Sequence, residues 1–296
     1  MSATENGEFS GKVVIVTGGT SGIGLALAQA VAARGGRVIA ASSDPAKVDR
    51  ARECLAPSGG EARQLDVRDR TAFRALVDSV GATFGRIDYL FNNAGISVLG
   101  EARDHTDEDW DDLLDVNLRG VVNGVCAVYP RMIDQGSGHI VNTSSLGGLL
   151  ATPFSVGYAA SKFGVVGLSQ ALRFEAARYG VRVSVVCPAY VETPLAQTSR
   201  CRHLDRAMVL REVPKFGETA ERCAEAILKG VARNQGMITP HAASALAFVH
   251  RYAPWLTTLM MRRFAGTVAR IRDVSNVGKA RALIPALDRA KDENSA

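Results

Sequence analysis

The stretch KVVIVTGGTSGIGLALAQAVAARGGRVIAAS, residues 12–42, reads as strand, glycine-rich turn, helix and second strand. KVVIVTGG (12–19) is a Val/Ile run closed by glycines, and GLALAQAVAARG, from Gly24, spaces its apolar residues as a helix does. GRVIAAS (36–42) returns to the strand pattern. A strand that reaches its neighbour through a helix pairs with it in parallel, and a parallel sheet must be covered on both faces.

The alternation continues along the chain. Apolar runs recur at 62–67, 87–95, 138–145, 181–188 and 236–240. Helical spacing fills the segments from Arg70, from Thr106 and from Phe163. The predicted fold is α/β and doubly wound, with a parallel seven-stranded sheet between two helical layers. At 296 residues, 47% hydrophobic and 22% charged, the chain can bury one large core.

Composition excludes several classes. Five cysteines, Cys54, Cys126, Cys187, Cys201 and Cys223, are scattered without a Cys-x-x-Cys pair, which argues against a disulfide framework or zinc site and fits a reducing cytoplasm. His203, His241 and His250 have no acidic or cysteine partners at ligand spacing except the isolated Cys201 and Asp205, so no metal is expected. The first ten residues lack the basic and apolar regions of a secretory signal. The uncharged runs 13–33 and 140–161 are broken by Gly or Pro where a spanning helix would continue. The net charge of +5 concentrates late, at Arg262, Arg263, Arg270, Arg272, Lys279 and Arg281, and reads as a solvated helix face, with a docking arm for an anionic partner, nucleic acid or lipid, as the minor alternative.

In TGGTSGIG (17–24), Gly18, Gly22 and Gly24 let the backbone approach a pyrophosphate at a helix N-terminus, and Thr20, Ser21 and Ile23 are candidate contacts in the same turn. The alternative is a tight turn without ligand. Its place on the first strand of an alternating fold favours nucleotide binding.

TGGTSGIG, NNAG (92–95), Asn117 in DVNLRG, IVNTSS ending at Ser145, and YAASK (158–162) occur in that order. With them the chain resembles the short-chain dehydrogenase/reductase family over about residues 10–240. The resemblance implies a Rossmann-type domain in which a nicotinamide cofactor exchanges hydride with a ketone or secondary alcohol. It casts Tyr158 as general acid/base. Lys162, one helical turn away, would favour phenolate and hold the nicotinamide ribose. Ser145 would bind the substrate oxygen, with Ser144 pointing elsewhere by strand alternation. Asn117 would hold a water of the proton relay, or else make a merely local backbone bond.

The same resemblance assigns cofactor contacts to Asn92, Ala94 and Gly95 near the adenosine half, with Asn93 as a structural brace. Asp66 and Val67, ending the third strand, would meet adenine, and Pro188, Val191 and Thr193 the carboxamide. Ala189 stands where the family usually has Gly. Ser42 occupies the position where NAD-preferring members carry an acid. With Ser43 and Lys47 near, this leans to NADP, while Asp44 keeps NAD open.

The expected organisation is a disordered tail over 1–10, a dinucleotide-binding catalytic domain over 11–240 with a lid at about 192–218, and a helical extension and basic tail over 241–296. The substrate is expected to be hydrophobic, and the chain a homodimer or homotetramer through its long helices. Residues 241–266 read as subunit packing, substrate cleft or an interfacial membrane helix, with Trp255, Leu256, Leu259, Met260 and Phe264 flanked by Arg262 and Arg263. Packing leads. A second function class is a catalytically silent nucleotide-sensing protein, against which the intact Ser145, Tyr158 and Lys162 argue.

Overall fold

The computed structural model describes residues 7, 9–207, 209, 217–240 and 242–271. Seven strands form the main sheet: β1 (Val13–Thr17), β2 (Arg37–Ser42), β3 (Glu61–Gln64), β4 (Tyr89–Asn92), β5 (Gly138–Thr143), β6 (Val181–Val186) and β7 (Met237–Ile238). All pair in parallel, in the order β3-β2-β1-β4-β5-β6-β7. The helices are α1 (Gly22–Ala33), α2 (Pro45–Leu55), α3 (Arg70–Phe84), α4 (Asp107–Leu114), α5 (Gly120–Asp134), α6 (Val156–Ala176), α7 (Pro194–Thr198), α8 (Ala220–Ala232), α9 (Ala242–Tyr252) and α10 (Pro254–Ile271).

The two layers follow from strand alternation. In β1, Val14 and Val16 pack with Leu27 and Val31 of α1 and Ile227 of α8. Val13 and Ile15 point the other way, to Phe73 and Val77 of α3 and Val128 of α5. Every β1 residue is buried, so the strand is apolar throughout instead of alternating. β1 leads to β2 on one side while β4 lies on its other side. Their carboxyl ends therefore flank the crevice where open α/β sheets bind ligands.

Several boundaries differ from the sequence reading. Phe9, placed in the expected tail, is fully buried and its ring lies 5.1 Å from that of Tyr89. Residues 1–6 and 8 of that tail lie outside the described residues. β3 stops at Gln64, leaving Asp66 and Val67 in the loop beyond it, where Asp66 O accepts Asp69 N at 3.0 Å. The single helix expected from Thr106 is two, α4 and α5, joined by a π-helical turn over Asp115–Arg119 in which Gly120 N donates to Asp115 O. The lid is organised by short pairings: Val191–Glu192 runs beside Glu218–Thr219, and Arg200–Cys201 beside Val98–Leu99. Its residues 208 and 210–216 lie outside the described residues, as do Arg272, Lys279 and Arg281 of the basic tail and His241.

Candidate active site

The glycine turn after β1 is shaped by contact. Gly18 has φ 61°, and a Cβ there would lie 2.8 Å from Ala94 Cα; Gly22 has φ 51°, and a Cβ would lie 3.0 Å from Thr193. Both conformations and both clearances call for glycine. Thr17 Oγ1 accepts from Asn93 N at 3.0 Å and Ala94 N at 3.2 Å, tying the end of β1 to the segment after β4. Ser21 is the N-cap of α1 but makes no side-chain capping bond, and Ile23 lies in the first turn. That leaves the first N–H groups of the helix directed out of its end, as an anion site requires. Thr20 is buried.

Asn93 Nδ2 also reaches Gly18 O at 3.4 Å, so Asn93 braces the turn. Asn92, expected among the cofactor contacts, turns inward. It is 2% exposed, donates to Asn142 Oδ1 at 2.9 Å, and packs under Gly124 of α5, so its side chain faces the sheet interior instead of the crevice.

At the C-terminal end of β5, Ser145 Oγ accepts from Gly147 N at 3.1 Å. Ser144 Oγ donates to Lys162 O at 2.8 Å, the opposite side, as alternation requires. Tyr158 and Lys162 sit in the first two turns of α6. Lys162 is 3% exposed, and Nζ donates to Thr143 O at 3.0 Å and lies 5.7 Å from the Tyr158 ring centroid. A Cβ on Gly95 would lie 3.4 Å from Lys162 Nζ and 3.2 Å from Asn117 Oδ1. One on Gly147 would lie 3.4 Å from the Tyr158 ring and 3.5 Å from Ser145 Oγ. Ser145, Tyr158, Lys162, Gly95 and Asn117 thus converge from four separate segments.

The electrostatics differ from expectation. Burial raises the Tyr158 phenol above its ordinary value, and the Ser145 hydroxyl pulls the other way. Lys162, whose Nζ donates to Thr143 O and lies over the ring, is not among the groups that move the phenol. Burial also pushes Lys162 down to about 8. Cys187, fully buried beyond β6, is pushed up to about 12 by burial, with Ser144 and Lys162 opposing.

Asn117 lies in the π turn, fully buried. Its Oδ1 accepts from Ile96 N at 2.8 Å, while Nδ2 donates to Ile96 O at 3.0 Å and Ser161 Oγ at 3.1 Å. The bond is to backbone, yet across the fold: this side chain clamps the segment carrying Gly95. Thr143, Ser161 and Cys187 escaped the sequence reading. For Thr143 and Cys187 the signal is the β5–β6 register, Thr143 opposite Val186, which sets Cys187 beside Ser144, while Ser161 shows only through its bond from Asn117 Nδ2.

At the adenosine end, Ser42 ends β2 and Ser43 is exposed beside it. Asp44 caps α2, accepting from Ala46 N and Lys47 N, and pairs with Lys47 Nζ at 3.6 Å. Asp66 is held by Arg68 at 2.7 Å, which lowers its carboxyl. Val67 O accepts from Asn123 Nδ2 at 2.9 Å.

Beyond β6, Pro188 O accepts from Leu146 N at 2.7 Å, binding that loop to the serine turn, and Val191 is buried. The lid is moored ionically: Arg200 and Arg202 reach Asp109 at 3.1 and 2.6 Å, and Asp109 is fully buried, its carboxyl held far below the usual range chiefly by Arg202. Phe154, at the turn into α6, has φ 63° and accepts from Gly100 N at 2.8 Å, next to the strand that pairs with the lid.

The family model described as short chain dehydrogenase matches residues 12–203. The 3-oxoacyl-(acyl-carrier-protein) reductase of Thermotoga maritima is 38% identical over 225 residues, 74% of this chain and 90% of that protein. D-threitol dehydrogenase of Mycolicibacterium smegmatis is 41% identical over 189 residues, 63% of this chain and 73% of that protein. A short-chain dehydrogenase/reductase of Burkholderia phymatum, solved in complex with NAD, superposes with a TM-score of 0.77 at 31% identity, covering 84% of this chain and 96% of that one. Motif order, sheet order and these likenesses agree, and the chain belongs to the short-chain dehydrogenase/reductase family, NAD(P)-dependent oxidoreductases that act on alcohol and carbonyl groups.

Proposed function

We propose that the protein interconverts a ketone and a secondary alcohol, on a hydrophobic substrate, with Tyr158 as general acid/base. The observation that carries this reading is the convergence of Tyr158, Ser145 and buried Lys162 at the mouth of the glycine turn. The turn fits a dinucleotide, since the clearances at Gly18 and Gly22 and the uncapped α1 terminus suit a pyrophosphate. Thr20, Ser21, Ile23 and Gly24 would complete that cradle, with Ala94 and Gly95 on its adenosine side and Pro188, Val191 and Thr193 at the nicotinamide side. When bound, the nicotinamide supplies or accepts the hydride.

The chain's own groups handle the proton. Ser145 Oγ accepts from Gly147 N and its hydroxyl meets the Tyr158 oxygen, so a substrate oxygen entering between them would take both hydrogen bonds. Tyr158, held as phenol by burial, donates its proton to that oxygen in reduction and recovers it in oxidation. Lys162 spends one N–H on Thr143 O and has two more for ribose hydroxyls. Asn117 fixes Ile96 and Gly95 beside Lys162. The π turn that carries Asn117 is our site for the relay water.

The cofactor reading is NADP. Asp44 is committed to the α2 cap and Lys47, and Ser42 and Ser43 offer hydroxyls in place of a ribose-binding acid. The substrate reading rests on half-buried Leu149 and Phe154 and on Leu195 of the lid, 36% exposed. Phe163 and Phe174, exposed on α6 and three turns apart, support a homo-oligomer. All five cysteines are free, Cys54 and Cys126 exposed, which supports a reducing compartment such as the cytoplasm.

Tyr158→Phe tests the reading. Turnover should fall roughly 10²–10⁴-fold while cofactor binding stays near wild type. Wild-type turnover of a proven carbonyl substrate by that variant would remove Tyr158 from the role.

A further inference from the structure

Among the described residues no helix is long and apolar enough to cross a membrane. The hairpin of α9 and α10 nonetheless shows solvent a broad apolar surface: Trp255 is 70% exposed, Tyr252 67% and Phe248 64%, with Leu256, Leu259 and Phe264 also exposed. On α10, Trp255, Leu256 and Leu259 share one arc of the helix. Thr257 and Val268 are buried on the opposite arc, where Thr257 meets α9, and Phe264 lies beside that buried arc. The bend between the helices is fixed by a 2.8 Å bond between His250 Nδ1 and Thr257 Oγ1, with the exposed Tyr252 ending α9 and the exposed Trp255 in the first turn of α10.

The charge on this hairpin is of one sign. No Asp or Glu occurs between Glu225 and Asp273, whereas Arg251, Arg262 and Arg263 are all exposed. A second copy laid on this surface would cover Arg262 and Arg263 with no carboxylate on either hairpin to meet them. An anionic lipid surface meets both demands, taking aromatic side chains at the headgroup boundary and arginines among its phosphates.

We propose that the α9–α10 hairpin is an interfacial docking surface for anionic membranes, lying on the bilayer with Trp255 and Tyr252 inserted and Arg262 and Arg263 on the headgroups. The active site remains on the aqueous side, and an apolar substrate dissolved in the bilayer becomes accessible without the chain crossing it.

The test uses the full chain and vesicles of phosphatidylcholine with and without phosphatidylserine, read by co-sedimentation. Binding is expected only with phosphatidylserine and should weaken as salt is raised. Arg262→Ala and Arg263→Ala should each lower the partition coefficient roughly fivefold, and Trp255→Ala about tenfold or more. Turnover of a water-soluble substrate should not change in these variants. In Trp110→Phe, Trp255 is the remaining tryptophan, and its emission should shift to the blue on phosphatidylserine vesicles. Absence of binding, binding indifferent to lipid charge, or loss of an oligomer in Trp255→Ala without vesicles would overturn the proposal, the last by assigning the surface to a second copy.

Discussion

The Tyr158 ring and the Lys162 ammonium are stacked: Nζ lies 5.7 Å from the ring centroid while its hydrogen bond runs to Thr143 O. Burial dominates both groups, raising the phenol and lowering the ammonium. Proton transfer should follow. Carbonyl reduction, which needs the phenol, is expected to hold its kcat/KM through neutral pH and decline only above about 10, the ordinary tyrosine value. Alcohol oxidation should climb over the same range. Parallel pH profiles in the two directions check this, and a reduction rate already falling near pH 7 would contradict it.

Lys162 links pH to stability. Its folded value of about 8 lies below the ordinary 10.5, so the charged form penalises the fold below pH 8, and the penalty fades as pH rises from 8 to 10.5. At ~1.36 kcal/mol per pKa unit the swing is roughly 3 kcal/mol. Urea unfolding of the cofactor-free protein and of Lys162→Met should show the wild type gaining that much on the variant between pH 7 and 10.5.

Asp109→Asn should loosen the lid. The buried carboxylate faces Arg200 and Arg202 and closes a capping box with Thr106, so the change leaves Arg202 without its carboxylate and Arg200 with Asp112 alone, and costs about 3 kcal/mol. A thermal melt reads the loss. Because the carboxyl is depressed, the stability it contributes is present at neutral pH and lost as pH falls below about 4, so the gap between wild type and variant should close in acid.

Gly22→Ala separates backbone cost from ligand cost. The left-handed conformation costs an alanine ~1–2 kcal/mol, and its Cβ would press on Thr193. Gly59 has φ 73° with open space around it, so Gly59→Ala carries the backbone cost alone. Both should lower stability, and only Gly22→Ala should raise the cofactor Kd in a titration.

Ser42→Asp should reverse cofactor choice. A carboxylate at the end of β2 repels a 2′-phosphate and accepts from a 2′-hydroxyl, lowering the NADPH/NADH ratio of kcat/KM by roughly tenfold or more. An unchanged ratio would place cofactor discrimination elsewhere.

β1, β2, β5 and β6 were legible because each carries Val or Ile between glycines or turn residues, the mark of a parallel strand buried on both faces, whereas β3 (EARQ) and β4 (YLFN) hold neither residue and were legible from their place in the alternation. The active-site side chains were legible as separated motifs. Their partners were not: Thr143 contributes only a carbonyl, and Cys187 matters through register with β5, which no local pattern encodes. Asn92 and Asn93 are chemically identical neighbours, and only alternation in β4 shows which one faces the sheet interior. The mooring of Arg200 and Arg202 on Asp109 joins residues some ninety positions apart.

The π turn at Asp115–Arg119 adds one residue to what would otherwise be a continuous rod. Each helical residue turns the chain by about 100°, so that surplus sets the phase between the rod's two halves. The turn itself is pinned where Asn117 grips Ile96, the second half where Gly124 rides over Asn92. Removing a single residue between them would regularise the hydrogen bonding and force one of those grips to let go. The local irregularity is what allows the floor of the crevice and the interior of the sheet to be in register at once.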